Sequence, residues 1–227
     1  GEGSVRVDGF LPHLLSGYLF SDTSSPVGES KVNLNVRFKL DGPGALQAEL
    51  EASASFLTLQ RGKNKQVIKT RSVQAVFSVD DEKTTVSLTR LSLDVPKFDL
   101  AGKFEMDRKT SRVRLEMEGW DLNLAPLREA ALSIAGNVPL IQQICDVVRG
   151  GNVPKVLFQT QGNSMADLGA TENILIKAGL RDGRIYISGP KLDLEQVNGE
   201  AVISKGILKG KELGARLGKS RGQKGTM

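Results

Sequence analysis

Few side chains in this 227-residue sequence are of a type that performs covalent or acid–base chemistry. The one histidine, His13, has no G-x-S-x-G nucleophile motif beside it, and we interpret it as a surface or half-buried loop residue. The one cysteine, Cys145, stands among Ile144, Val147 and Val148 in a helical pattern, which favours a buried apolar thiol over a nucleophile. A structural zinc site needs several Cys and His residues. We therefore predict no catalytic residue, no metal site and no cofactor.

Two charged runs are weaker candidates for ligand binding. Asp80, Asp81 and Glu82 lack the spacing of an EF-hand calcium loop and are typical of a charged hairpin tip. The run 206–211 is too short for a phosphate-binding loop and has no Ser or Thr after its lysine. Neither run predicts a binding site.

The C-terminal segment is basic. We interpret its cations as outward-facing strand positions, with contacts to the phosphates of lipid or nucleic acid as the alternative. Nucleic-acid binding on a sheet usually needs exposed aromatic side chains, and this region offers only Tyr186, so we predict no nucleic-acid partner. The cations are Lys205, Lys209, Lys211, Arg216, Lys219, Arg221 and Lys224.

The composition is that of a folded, mildly basic protein, with 39% hydrophobic residues and a formal net charge of +5. No run approaches the ~20 apolar residues of a membrane-spanning helix, and residues 1–20 contain no visible signal peptide. Because the sequence opens inside an alternating pattern, we expect a piece of a longer protein, with any membrane anchor outside it.

Alternation of apolar and polar residues predicts β-strands along most of the chain. The clearest strand is 31–40, and a second, unusually long one is predicted over 46–60. The alternation changes parity at Thr89-Arg90 and again at Gly119, which is typical of a β-bulge or of a strand bend. From Ala178 to Ser220, short alternating runs are separated by glycines. We predict hairpin turns there at Asp182-Gly183, Asn198-Gly199, Lys205-Gly206 and Lys209-Gly210, and hence an antiparallel meander.

Helical spacing interrupts this pattern once. Leu127, Ala130 and Ile134 fall on one face, and Ile141 and Ile144 fall on one face of a second segment. We predict a mostly β fold: a long curved antiparallel sheet, either an open groove or a β-taco, with a short two-helix insert. The predicted regions are 1–125 (antiparallel β), 126–151 (helical insert) and 152–227 (β-meander), which we expect to form one continuous sheet.

One face of such a sheet is apolar and must be covered. A second sheet or helices could bury it, or part of it could remain a trough for acyl chains, where each buried CH₂ contributes ~0.8 kcal/mol. Small residues such as Ala48, Ala52 and Ala54 leave room for a chain and equally allow a helix to pack closely. The pattern alone leaves both possibilities open.

The C-terminal half also resembles a known family. The segments GWDLNLAPL, QQICDVVRGGNVPKVLFQTQG and 182–220 are similar to the AsmA-like superfamily, notably the C-terminal region of the large periplasmic AsmA-like proteins of Gram-negative bacteria. The family pattern L-x-L-x-x-V-x-G-x-V-x-I followed by G-x-L-x-G-x-x-L is met by Leu192, Leu194, Val197, Gly199, Ala201, Ile203, Gly206, Leu208, Gly210 and Leu213. The likeness is one of hydrophobic and glycine spacing and contains no catalytic residue.

This resemblance implies a non-enzymatic protein of the bacterial envelope. It implies binding and transfer of phospholipid acyl chains along a hydrophobic β-groove, in the periplasm, with the parent protein anchored in the inner membrane. The alternative is a scaffold or assembly module that binds another envelope or outer-membrane protein, and a lipid- or carbohydrate-modifying enzyme is a third, weaker possibility. The predicted groove residues are Val32, Leu34, Val36, Phe38, Leu50, Phe56, Phe77, Leu88 and Leu115, with Ile141 and Ile144 capping the trough.

Overall fold

Strands make up most of the computed structural model, which describes residues 1–11, 30–41, 44–54, 56–61, 64–136 and 139–226. Two α-helices are inserted between the eighth and ninth strands of this described part, and two short 3₁₀ turns, Ala166–Gly169 and Thr171–Asn173, follow the ninth. The elements are β1 (Glu2–Phe10), β2 (Val32–Leu40), β3 (Leu46–Ala54), β4 (Leu57–Arg61), β5 (Asn64–Val79), β6 (Lys83–Val95), β7 (Lys97–Asp107), β8 (Val113–Asn123), α1 (Leu124–Ala135), α2 (Pro139–Val147), β9 (Val148–Gly162), β10 (Leu175–Ile187), β11 (Leu192–Ser204), β12 (Ile207–Leu217) and β13 (Ser220–Gly225).

All the described strands belong to one open antiparallel sheet in which almost every strand pairs with its neighbours in sequence. The order runs from β1 to β13, and the short β4 pairs with β5 outside this path. The predicted mostly β fold, a single open antiparallel sheet with a two-helix insert, is confirmed. The prediction of one strand over 46–60 is wrong, because β3 ends at Ala54 and β4 begins at Leu57.

A bulge accounts for the first of the two predicted changes of parity. Between β6 and β7 the register shifts between Leu88 and Leu91, so the bulge predicted at Thr89-Arg90 is confirmed. In β8 the pairing with β7 and β9 has no register shift at Gly119, so a bulge there is not found. Asp121 has a φ of 54°, and Leu122 lies on the same side of the sheet as Gly119, since a Cβ on Gly119 would be 3.2 Å from the Leu122 Cδ1 atom.

Three of the four glycine turns predicted in the C-terminal meander are wrong. Asp182-Gly183 lies inside β10, Asn198-Gly199 inside β11 and Lys209-Gly210 inside β12, and only Lys205-Gly206 connects two strands. Asp182 has φ of 48° and its N–H donates to the Asn198 side-chain oxygen at 3.1 Å, where the register of β10 and β11 shifts. Residues that tolerate positive φ serve bulges as well as turns, and here they bend paired strands.

The helices and the buried core occupy the C-terminal half. Asn123 caps α1 through its side-chain oxygen, which accepts from the Ala125 N–H at 3.3 Å. The helices run from 124 to 147, so they begin two residues earlier and end four residues earlier than the predicted insert of 126–151. Leu124 and Leu127 of α1 and Val147 of α2 pack on a cluster of buried strand residues: Leu122, Val153, Leu180, Ile185 and Val197.

Candidate functional site

The strand register aligns one unbroken row of apolar residues across eleven strands, from β1 to β12. Each residue of this middle row lies directly opposite the next one on the neighbouring strand. At ~4.8 Å between strands, the ten steps of the row cover about 48 Å. The middle row consists of Val5, Val36, Leu50, Ala75, Leu88, Gly102, Met117, Phe158, Ile176, Ile203 and Leu208.

Two more rows flank the middle row on the same side of the sheet. Because the rows are two residues apart along each strand, the three together are about 13 Å wide. We call them the apolar face. One flanking row is Phe38, Ala48, Phe77, Val86, Phe104 and Leu115. The other is Val7, Leu34, Ala52, Val73, Leu91, Leu100, Gly119, Val156, Ala178, Ala201 and Gly210.

The apolar face is not packed like a core. Val5 of the middle row is 51% exposed, and every other member of that row is half-buried. By contrast, Val113 and Val197 elsewhere in the sheet are 1% exposed. A side chain covered by a second layer loses nearly all of its exposure, so the described residues leave the apolar face largely open.

The opposite side of the sheet is polar and carries cross-strand ion pairs. Arg37 lies 3.7 Å from Glu49, and Lys155 lies 3.1 Å from Glu118. Glu105 is bound by Lys103 at 2.7 Å and also by Lys83, and these hydrogen bonds lower its pKa to about 2. The two sides of the sheet therefore differ in polarity. One carries charged side chains that water solvates, and the other exposes hydrocarbon.

A pocket of about 210 Å³ lies between α2 and the C-terminal end of the middle row. Ile203 and Leu208 of the middle row contribute to its wall, and Ile144 of α2 lies across from them. An apolar cavity of ~150 Å³ is already large enough to bind benzene. The rest of the lining is Gln143, Val147, Val148, Thr171, Ile174 and Gly206, so it contains no ionisable side chain.

Most of the predicted groove residues share the apolar face. The seven that lie in its three rows are Leu34, Val36, Phe38, Leu50, Phe77, Leu88 and Leu115. Val32 is on the same side of the sheet, but it is only 7% exposed and is packed rather than open to a ligand. Phe56 lies between β3 and β4, 46% exposed and outside the rows. Ile144 lines the pocket, whereas the half-buried Ile141 does not.

Other members of the apolar face were not predicted as groove residues from the sequence. They carry the same period-two signal as the predicted residues, but only the register shows which of them line up. They include Ala75, Phe104, Met117, Phe158, Ile176, Ile203 and Leu208.

The side chains that could act in catalysis or bind a metal ion do not come together as a site in the described structure. His13 lies outside the described residues. Cys145 is buried as predicted, and burial raises the pKa of its thiol. Asp80 closes the β5–β6 turn by accepting from the Glu82 and Lys83 N–H groups at 2.8 and 2.7 Å, and these bonds lower its pKa. Among the described residues, no group of three or more His, Cys, Asp or Glu side chains is placed to hold a metal ion.

The fold and the apolar face define an open antiparallel β-sheet protein with one polar and one exposed apolar surface. Comparison with known protein families, with characterised proteins and with solved structures finds no match. Among the helices that the structure describes, none combines the length and apolarity needed to cross a bilayer.

Proposed function

We propose that this protein binds the acyl chains of phospholipids on its apolar face, without catalysing a reaction. The observation that carries the proposal is the middle row, an uninterrupted line of apolar residues across eleven strands, all of them half-buried except the exposed Val5. The middle row and the longer flanking row extend about 48 Å and the shorter flanking row about 24 Å, so the apolar face is ~500 Å², within the range of about 300 to 600 Å² of the largest apolar patch on a monomeric protein. Patches of this size on monomeric proteins are often functional.

The dimensions of the apolar face favour an acyl chain that runs across the strands. Along a strand the face is only about 13 Å long, whereas across the strands it extends about 48 Å. An extended chain advances about 1.2 Å per bond, so each step between strands accommodates about four methylenes. Each fully buried methylene contributes ~0.8 kcal/mol, so binding strength grows with the number of strands that the chain crosses.

The pocket beneath α2 gives the bound chain a direction. Ile203 and Leu208 continue the middle row into a pocket without ionisable side chains, which suits the methyl end of a hydrocarbon and disfavours a charged headgroup. The headgroup then lies toward the strands near β1, or leaves the apolar face for solvent.

The resemblance of residues 119–220 to AsmA-like proteins supports the same function. By this resemblance we propose that the chain acts in the periplasm of a Gram-negative bacterium, as part of a protein that is anchored in the inner membrane and passes phospholipid toward the outer membrane. The exposed apolar face supports the acyl-binding part of this proposal, and the cellular part rests on the resemblance alone.

The test is to find the lipid and then to measure binding. We expect native mass spectrometry of gently purified protein to detect bound phospholipid, and a fluorescent long-chain fatty acid to compete with it after delipidation. A short-chain analogue of the same probe should bind more weakly by ~0.4 kcal/mol for each methylene removed, because a chain on the open face is about half-buried. Folded protein that is lipid-free and binds neither probe would refute the proposal.

A second candidate function is that of a scaffold that binds another envelope protein through the edge of its sheet. In the described part of the chain β1 pairs only with β2, and β13 only with β12, so each presents a free edge. Val5 and Val7 on β1 are 51% and 37% exposed, and an added partner strand would cover them. A lipid-free, folded protein in the experiment above would favour this function.

A further inference from the structure

Positive charge is concentrated at one end of the chain. Residues 205–227 contain seven Lys or Arg and one Glu, so they carry +6 of a chain whose total is +5, and residues 1–204 carry −1. The structure places this segment in β12 and β13, at one edge of the sheet. The cations are exposed.

These cations make fewer close ion pairs than the charges elsewhere on the polar side, although Glu200 and Glu195 of β11 lie opposite Lys211 and Arg216. On β7 and β8 the charges are paired, as between Lys103 and Glu105. In the part of the chain that the structure describes, no carboxylate makes an ion pair with Lys209, Lys211 or Arg221. Arg216 and Arg221 are direct partners in the β12–β13 register, and like charges opposite each other destabilise a sheet. An external anion would relieve that repulsion.

A groove beside this pair has room for anionic groups. It measures about 380 Å³, and Arg216, Arg221 and Lys224 contribute to its wall together with one carboxylate, Glu212. Guanidinium groups suit phosphate oxygens, to which they can donate two hydrogen bonds at once.

An exposed aliphatic side chain on the same side favours a membrane over a nucleic acid. Ile207 is 58% exposed and lies two residues from Lys209, with its side chain on the polar side of the sheet. Aliphatic and basic side chains together are typical of proteins that lie on anionic bilayers. Residues 205–227 contain no aromatic side chain on which a base could stack.

We propose that β12 and β13 form a docking surface for a membrane rich in anionic phospholipid. The cations contact the lipid phosphates, and Ile207 enters the interface between headgroups and acyl chains. This proposal does not depend on acyl-chain binding by the apolar face, which lies on the other side of the sheet.

The experiment is vesicle cosedimentation of the whole chain. We expect binding to vesicles of equal parts phosphatidylcholine and phosphatidylglycerol, weak binding to pure phosphatidylcholine, and loss of binding as salt shortens the Debye length from ~10 Å at 0.1 M to ~3 Å at 1 M. The triple variant Lys209→Gln, Lys211→Gln, Arg221→Gln should bind anionic vesicles about a hundredfold more weakly at low salt, because each surface charge changes binding about fivefold.

The matched control is Lys69→Gln, Lys97→Gln, Arg181→Gln, which removes the same charge from exposed positions elsewhere in the sheet. Equal losses in the two triple variants would overturn the proposal, because net charge alone would then explain them. Equal binding to neutral and anionic vesicles would also overturn it, as would tighter binding to a duplex or single-stranded oligonucleotide than to anionic vesicles at the same salt. Both triple variants should melt cooperatively like the unchanged protein, which checks their folding whether or not the apolar face binds acyl chains. The fatty-acid probe should bind both variants as it binds the unchanged protein, which separates this proposal from the proposed function.

Discussion

Replacing Leu88 with aspartate is the sharpest test of the apolar face. Leu88 lies on β6 near the centre of the middle row, between Ala75 of β5 and Gly102 of β7. Its side chain is half-buried, so part of its surface faces solvent in the unbound protein. A carboxylate at this position would interrupt the hydrocarbon path without entering a closed core.

The expected loss of affinity follows from the spacing of the strands. One step of ~4.8 Å corresponds to about four methylenes of an extended chain, and full burial of those would contribute ~3 kcal/mol. On an open face about half of that burial is realised, so Leu88→Asp should lose ~1.5 to 3 kcal/mol of binding. This loss corresponds to a dissociation constant about ten to a hundred times higher.

The assay is titration of the delipidated protein with the fluorescent fatty acid, beside a thermal melt of each variant. The matched control is Ser87→Asp, which adds the same charge one residue away but on the polar side, opposite Lys103. Ser87→Asp should bind the probe like the unchanged protein, and both variants should melt cooperatively. Cooperative unfolding lost in Leu88→Asp alone would show that Leu88 belongs to a core, and unchanged probe affinity would show that no chain lies there.

Three further changes have expected outcomes. The carboxylate of Glu105 has its pKa lowered to about 2 by Lys103 and Lys83, so its contribution to stability is complete above its ordinary pKa and is lost as the pH falls toward 2. Glu105→Gln should therefore lower the free energy of unfolding by about 1 to 2 kcal/mol at pH 7 and by less at pH 3, as denaturant titrations at both pH values would measure. Ile144→Trp should fill the pocket beneath α2 and weaken binding of the long-chain and the short-chain probe alike by about tenfold, because the methyl end of either chain loses about two buried methylenes. Val197→Ala, in the buried cluster, should cost about 2 kcal/mol of stability in denaturant melts without changing probe affinity.

The fold class could be predicted because alternation is a local property of the chain. The pattern in 31–40 predicted β2 to within a residue, and helical spacing located both helices. The bulge at Thr89-Arg90 was also visible, because an extra residue changes which side of the sheet the apolar residues occupy. None of these features depends on which strands are neighbours.

Turns and bulges could not be distinguished in the C-terminal meander. Asp-Gly and Asn-Gly indicate positive φ, and both a tight turn and a bulge meet that requirement. Gly210 is needed for space and not for a turn. A Cβ at this position would lie 2.3 Å from the Leu213 side chain and would clash with it. The chain instead turns at 188–191 and at 218–219, where Pro190 and Lys219 interrupt the alternation.

The apolar face is open because of the order of the strands in the sheet. The alternation of apolar and polar residues does not determine that order. The same period-two pattern would arise if a second sheet lay over these rows and filled the space. Because each strand from β5 to β13 pairs with its immediate neighbours in sequence, the chain adds strands at one edge and does not double back as a second layer within the described residues. The inserted helices pack mainly at the end of the sheet where Leu122 and Val153 are buried, and they leave Val36, Leu50 and Leu88 half-exposed. A sequential meander with one short helical insert therefore has more apolar surface than its own elements cover, and the surplus is the surface that we assign to a ligand.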